Sequence, residues 1–182
     1  DAKLKIPGKG FFKVVMYMPN IITAASVAVL FLQLCSESKY GAFNQLLDKV
    51  GIADIDNKDF VPFIEGVWTS RGVVMFIQTW MWYGYTMVTL ISGVLGISPD
   101  IFEAAEVDGA NRMQTFFLIT IPNIKTILLF TLVTSLIGGL NMFDIPKMYL
   151  NGGPDNATLT TSVFIQNQAF SGSYLYNRAA AA

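Results

Sequence analysis

An all-α, polytopic membrane helix bundle is the fold this sequence predicts, on three observations. Hydrophobic residues make up 53% of the chain and charged residues only 14%, with a mean hydropathy of +0.48, more apolar than a soluble core needs. Three long runs, 14–36, 72–98 and 126–143, carry no charged residue. Between the second and third lies a short acidic stretch of small residues, 103–112. The 182 residues make one domain by length, 1–182, yet so few spans cannot close a membrane bundle alone, so partner helices are implied.

The elements follow in order. Lys3, Lys5, Lys9 and Lys13 precede the first apolar run, a bias expected of a cytoplasmic flank. The first span, about 12–35, therefore leaves the cytoplasm; at about 1.5 Å per residue it crosses a hydrocarbon core of roughly 30 Å. Pro19-Asn20 is expected to kink it. Residues 36–71 are polar, mixed in charge and dotted with Gly41, Gly51, Pro62 and Gly66, an external loop. Inside it Phe43, Leu46, Leu47 and Val50 recur at helical spacing opposite Asn44, Gln45, Asp48 and Lys49, the pattern of an interfacial amphipathic helix.

The second span, about 72–97, returns to the cytoplasm and holds Trp80, Trp82, Tyr83 and Tyr85. Tyr85 lies well inside it, where an unpartnered hydroxyl is unfavourable. An elbow at 98–122 follows. Ser98 is expected to cap a short helix, Pro99 to occupy its first turn, and Asp100 and Glu103 to favour its positive end. Ala104, Ala105 and Asp108 put small side chains on one side for close approach of another backbone. Gly109 ends that helix, and a second apolar helix from Met113 is expected to break at Ile121-Pro122. The third span, about 124–145, turns polar and small at Ser135, Gly138, Gly139 and Asn141. Asp144 and Lys147, three apart, are expected to pair, and Pro146 to bend the helix. Residues 147–176 form a second external loop, with a turn at Asn151-Gly152-Gly153-Pro154 and a re-entrant or interfacial helix within 158–170. A last span begins near 177 and is cut short, so the bundle is expected to be incomplete at both ends.

Several chemistries are excluded. A net charge of −1 with no basic stripe argues against nucleic acid. With no histidine and the single cysteine Cys35, neither a disulfide, a His/Cys metal site nor a Ser/His/Asp set can form. No phosphate-cradling Gly-x-x-x-x-Gly-Lys-Ser/Thr loop is present. No cofactor and no catalytic residue is expected, and any ATP energy must enter from outside the chain.

Glu103-Ala104-Ala105, Gly109 four residues on, and Ile119-Thr120-Ile121-Pro122 together resemble the signature loop of permease subunits of binding-protein-dependent ABC importers. Gly93-Val94-Leu95-Gly96-Ile97-Ser98-Pro99, Asp108-Gly109-Ala110 and Asn151-Gly152-Gly153-Pro154 look like its carbohydrate branch, the maltose and multiple-sugar type. The resemblance covers the chain from Phe11 to the terminal alanines. It implies a type I importer permease core in a bacterial cytoplasmic (inner) membrane, surrounded by lipid. Its implied partners are ABC ATPase subunits, a second permease and an extracytoplasmic solute-binding protein. Glu103, Ala104, Ala105, Asp108, Gly109, Ala110 and Pro122 would then couple to the ATPase. Tyr85 and Ser135, with Gln78, Trp82 and Asn141, would line a sugar path. Because no Arg or Lys lies between Lys13 and Lys39 or between Arg71 and Arg112, a neutral sugar is favoured over a charged cargo. The alternatives are a polyol, glycerol phosphate or polyamine permease, and a membrane scaffold that transports nothing.

Overall fold

The computed structural model describes residues 9–171 and 174–182. Lys3 and Lys5, which the sequence puts on the cytoplasmic flank, lie outside the described residues, as does the Lys9 side chain. The regular elements among the described residues are helices, in the order α1 (Lys9–Ile21), α2 (Ala24–Leu34), α3 (Ala42–Lys49), α4 (Val67–Leu95), α5 (Pro99–Val107), α6 (Arg112–Gln114), a π-helical turn (Thr115–Thr120), α7 (Ile121–Leu140), α8 (Asp144–Leu150), α9 (Thr161–Phe170) and α10 (Tyr176–Ala180). By length and apolar composition the run Arg112–Leu150 suffices to cross a membrane. Gly10–Ile21 with Ala24–Leu34, and Val67–Leu95 with Pro99–Val107, add two more spans if each bent pair counts as one. Two compact units share the chain, Asp1–Asn20 with Trp82–Gly138, and Ile21–Met81 with Gly139–Ala182.

The kink expected at Pro19-Asn20 does not form there. α1 runs through Pro19 to Ile21, and the break falls at Ile22-Thr23, because Thr23 starts a new helix by accepting the Ser26 N–H on its hydroxyl.

The second unit is built on the apolar face of α2. Val27, Ala28, Phe31 and Cys35 pack with Val74, Ile77 and Met81 of α4 and with Ile145 and Tyr149 of α8. Its loop is ordered by buried polar groups. Asn44 on α3 is fully buried; its Oδ1 accepts the Val61 N–H at 2.8 Å and its Nδ2 donates to Ser36 O and Val61 O, both at 3.4 Å. Glu37 Oε1 accepts the N–H groups of Ile64 and Glu65 at 2.7 and 2.8 Å. This changes the face that the sequence assigns to α3: Leu46 and Val50 stay exposed while Asn44 turns inward, since only a side chain able to donate and accept can satisfy the backbone that crosses there. At Asp54, the Asn57 backbone N–H and side-chain amide donate to the two carboxylate oxygens and hold that carboxyl below its ordinary range.

The pairing expected of Asp144 with Lys147 is replaced. Lys147 Nζ donates to Asn167 Oδ1 on α9 at 2.6 Å, so the lysine ties α8 to α9 instead of to the first turn of its own helix. Pro146 likewise bends nothing: the helix has already stopped at residues 141–143, and Pro146 sits buried in the first turn of α8, where no intrahelical N–H is required. The turn at Asn151-Gly152-Gly153-Pro154 uses positive φ at Asn151 and Gly152. Thr158 Oγ1 closes it by donating to Gly153 O at 2.7 Å.

In the first unit, α1 lies so close to α4 that a Cβ on Gly84 would collide with Met16 O and reach the Tyr17 Cα at 2.7 Å. Further along α4, a Cβ on Gly93 would come within 2.6 Å of Ile127 Cδ1 on α7. α7 buries only Ile124 and Thr131, while Leu129, Leu132, Val133, Leu136 and Ile137 remain exposed. A helix apolar on every side and so little covered by its own chain requires hydrocarbon or other helices around it.

Candidate coupling elbow and substrate path

The elbow is built by two caps and one irregular turn, all in the first unit. Pro99 opens α5 and Asp100 lies in its first turn, but the expected cap by Ser98 is absent. Its Oγ donates instead to Asp100 Oδ2 at 3.3 Å, drawing the hydroxyl away from the free N–H groups. At the other end the N–H of Ala110 donates to Ala105 O at 2.9 Å and that of Gly109 to Glu106 O at 3.2 Å. With φ of +76° at Gly109, these are the paired bonds of a Schellman cap.

The reverse cap follows at once. Asn111 Oδ1 accepts the Gln114 N–H at 2.9 Å and Gln114 Oε1 accepts the Asn111 N–H at 2.8 Å, a reciprocal capping box. Sequence reading missed it, although Asn at 111 followed by Gln at 114 carries that signature. The break expected at Pro122 also does not occur. The helix passes through it because the turn just before is π-wound: the Ile121 N–H donates to Phe116 O and Thr120 Oγ1 to Thr115 O at 3.2 Å. One extra residue in the turn lets the proline ring clear the carbonyls behind it.

The exposed face of α5 differs from the expected row of small side chains. Ala105 is buried inside the unit, whereas Glu103, Ala104 and Asp108 are exposed and Val107 is 87% exposed. Val107 stands three and four residues beyond Ala104 and Glu103, so these three share a face. Sequence reading passed over Val107, since a lone valine beside alanines looks like core. Behind the elbow an open cleft of about 450 Å3 is lined by Ser92 of α4, Gly96, Ile97 and Ser98 of the link that follows it, Ile101 of α5, and Asn123 and Ile127 of α7.

The residues expected along a sugar path are only partly brought together. Trp82 and Tyr85, one turn apart on α4, meet edge to face at a centroid distance of 6.0 Å, and both rings are about half exposed. Gln78 lies one turn earlier on the same helix but in the second unit. Ser135 is exposed on α7. Asn141 falls in the break after α7, where its backbone O accepts from Ser162 Oγ at 3.2 Å.

The family of binding-protein-dependent transport system inner membrane components matches residues 2–177. This chain belongs to that family. As a permease-family chain it is 30% identical over 168 residues to the lactose transport system permease protein LacF of Rhizobium radiobacter, with 91% of this chain and 54% of the relative covered. It is also 30% identical over 183 residues to the multiple sugar-binding transport system permease protein MsmF of Streptococcus mutans, covering 97% and 59%. Among solved structures it is similar to a chain of the bacterial alginate ABC transporter crystallised with an alginate pentasaccharide-bound periplasmic protein, at a TM-score of 0.82 and 25% identity, covering 97% of this chain and 60% of that one. The chain spans about half the length of the curated relatives it matches. Membership makes the all-α architecture that of a membrane helix bundle and the protein an inner membrane component.

Proposed function

We propose that this chain forms part of the translocation path of a sugar importer and that its elbow, residues 103–112, docks on a separate ABC ATPase. The chain brings no nucleotide loop, so the energy of hydrolysis enters through that contact, and the second permease and the solute-binding protein complete the assembly. The observation that carries the reading is the shape of α5. Its inner residue Ala105 anchors it, its end is fixed by Gly109 and the Asn111–Gln114 box, and it presents Glu103, Ala104 and Val107 outward. A carboxylate beside a valine on a short, rigid helix suits a groove that offers an Arg or Lys next to an apolar floor. Names of relatives such as LacF and MsmF support a sugar as cargo, and the uncharged stretches of α1, α2 and α4 support a neutral one.

Reconstitution in proteoliposomes with the cognate ATPase, second permease and binding protein tests this, using a panel of neutral mono-, di- and oligosaccharides. ATP-driven uptake of at least one neutral sugar is expected. Tyr85→Phe and Ser135→Ala should alter its concentration dependence, since losing a desolvated hydrogen bond costs roughly 1–3 kcal/mol. Uptake of none of the panel by an assembled complex would defeat the sugar assignment, and unchanged uptake in both variants would remove these residues from the path.

A further inference from the structure

The π-wound turn Thr115–Thr120 stands between the elbow and α7, and the groups around it are arranged so that it can be wound in two ways. Pro122 has no N–H, so neither winding has that rung, and the windings differ at this residue only in the crowding of its ring against the Leu118 carbonyl, which five-residue winding relieves and displacement of the elbow has to overcome. Two side chains supply donors of their own there: Thr120 Oγ1 to Thr115 O at 3.2 Å and Asn123 Nδ2 to Ile119 O at 2.7 Å. Phe116, Phe117 and Leu118 are exposed, so little packing within the unit locks the turn in one form. Its two ends are held firmly by contrast. The Asn111–Gln114 box fixes the start, and Ile124 is buried in the first turns of α7.

We propose that this turn is a joint. Displacement of the elbow rewinds it between five-residue and four-residue hydrogen bonding, so that α7 rotates and advances relative to α5 instead of being pushed as a rigid rod. One residue of winding corresponds to about 100° of rotation and about 1.5 Å of travel along the axis. Rotation of that size changes which side of α7, the Ser135 side or its apolar neighbours, faces the path. The inference rests on the coupling role proposed above for the elbow.

Nitroxide labels on Met113→Cys and Leu129→Cys, in a Cys35→Ser background, flank the joint. Both positions are exposed and roughly 24 Å apart along a helix. Their distance is measured by pulsed electron resonance in the whole reconstituted transporter, nucleotide-free and trapped with ADP and vanadate. A shift of the distance distribution on trapping is expected, and an unchanged distribution in a trapped complex overturns the joint. Deleting Leu118 removes the spare residue while leaving the flanking helices in register, and should abolish the shift and uncouple hydrolysis from uptake. If the deletion variant does not assemble, Pro122→Ala decides, because it removes the ring that four-residue winding presses against the Leu118 carbonyl, without changing length, and should hold the shorter winding. A full shift in whichever variant assembles counts against the proposal. Failure of the ATPase to co-purify with the labelled but otherwise native-length permease would remove the coupling role itself, and the joint with it.

Discussion

At Gly109 the requirement is backbone geometry, not room. A Cβ built there meets nothing within 4 Å, yet φ is +76°, and holding an L-residue in that region costs about 1–2 kcal/mol. Asparagine tolerates it best after glycine. Gly109→Asn should therefore retain ATPase association and transport, whereas Gly109→Val should loosen the end of α5 and reduce both severalfold, read by co-purification and uptake. Equal behaviour of the two variants would sink this account of the cap. The glycine was legible in the sequence because its chemistry is peculiar to it. Which alanine turns inward was not, since Ala104 and Ala105 are chemically identical and only the packing around α5 tells them apart.

Among the elements, two glycines on long apolar helices divide the chain's own packing from packing that it leaves open. Gly84 on α4 is pressed against the backbone of α1, whereas Gly138 on α7 has nothing within 4 Å. Gly84→Leu should lower the melting temperature of the purified permease by forcing α1 away, because backbone cannot yield as a flexible side chain does. Gly138→Leu should leave that melting temperature unchanged and act only on assembly with neighbouring helices. If Gly84→Leu melts normally, the close approach of α1 to α4 is wrong. Sequence periodicity located the apolar runs, since a charge-free stretch of about twenty residues matches the thickness of a bilayer and is seldom needed in water. It misjudged where they break. Pro19 reads as a kink and Pro122 as a break, yet a helix absorbs a proline when a buried face or a π-wound turn accommodates it. The true break at Ile22-Thr23 depends on a single hydroxyl that propensity alone ranks low. The face of α3 was misread for a similar reason, as Asn44 is drawn inward by unpaired backbone groups seventeen residues away in sequence.

Over the whole molecule, widely exposed apolar helices stand together with one compact, capped, partly acidic elbow. Membrane residence follows from the family, and α7 agrees with it, since among the described residues little covers its leucines and valines. The proposed coupling rests on the elbow, whose residues Glu103, Ala104 and Val107 are exposed on one face of α5. The measurement that tests it most directly is photocrosslinking in the assembled transporter, with a benzophenone amino acid placed at Val107 on the elbow or, separately, at Leu136 on α7. Both positions are well exposed in this chain, so accessibility alone does not separate them. An adduct with the ATPase subunit is expected from position 107 and none from position 136. No ATPase adduct from position 107, in a complex that still co-purifies with its ATPase, would contradict it.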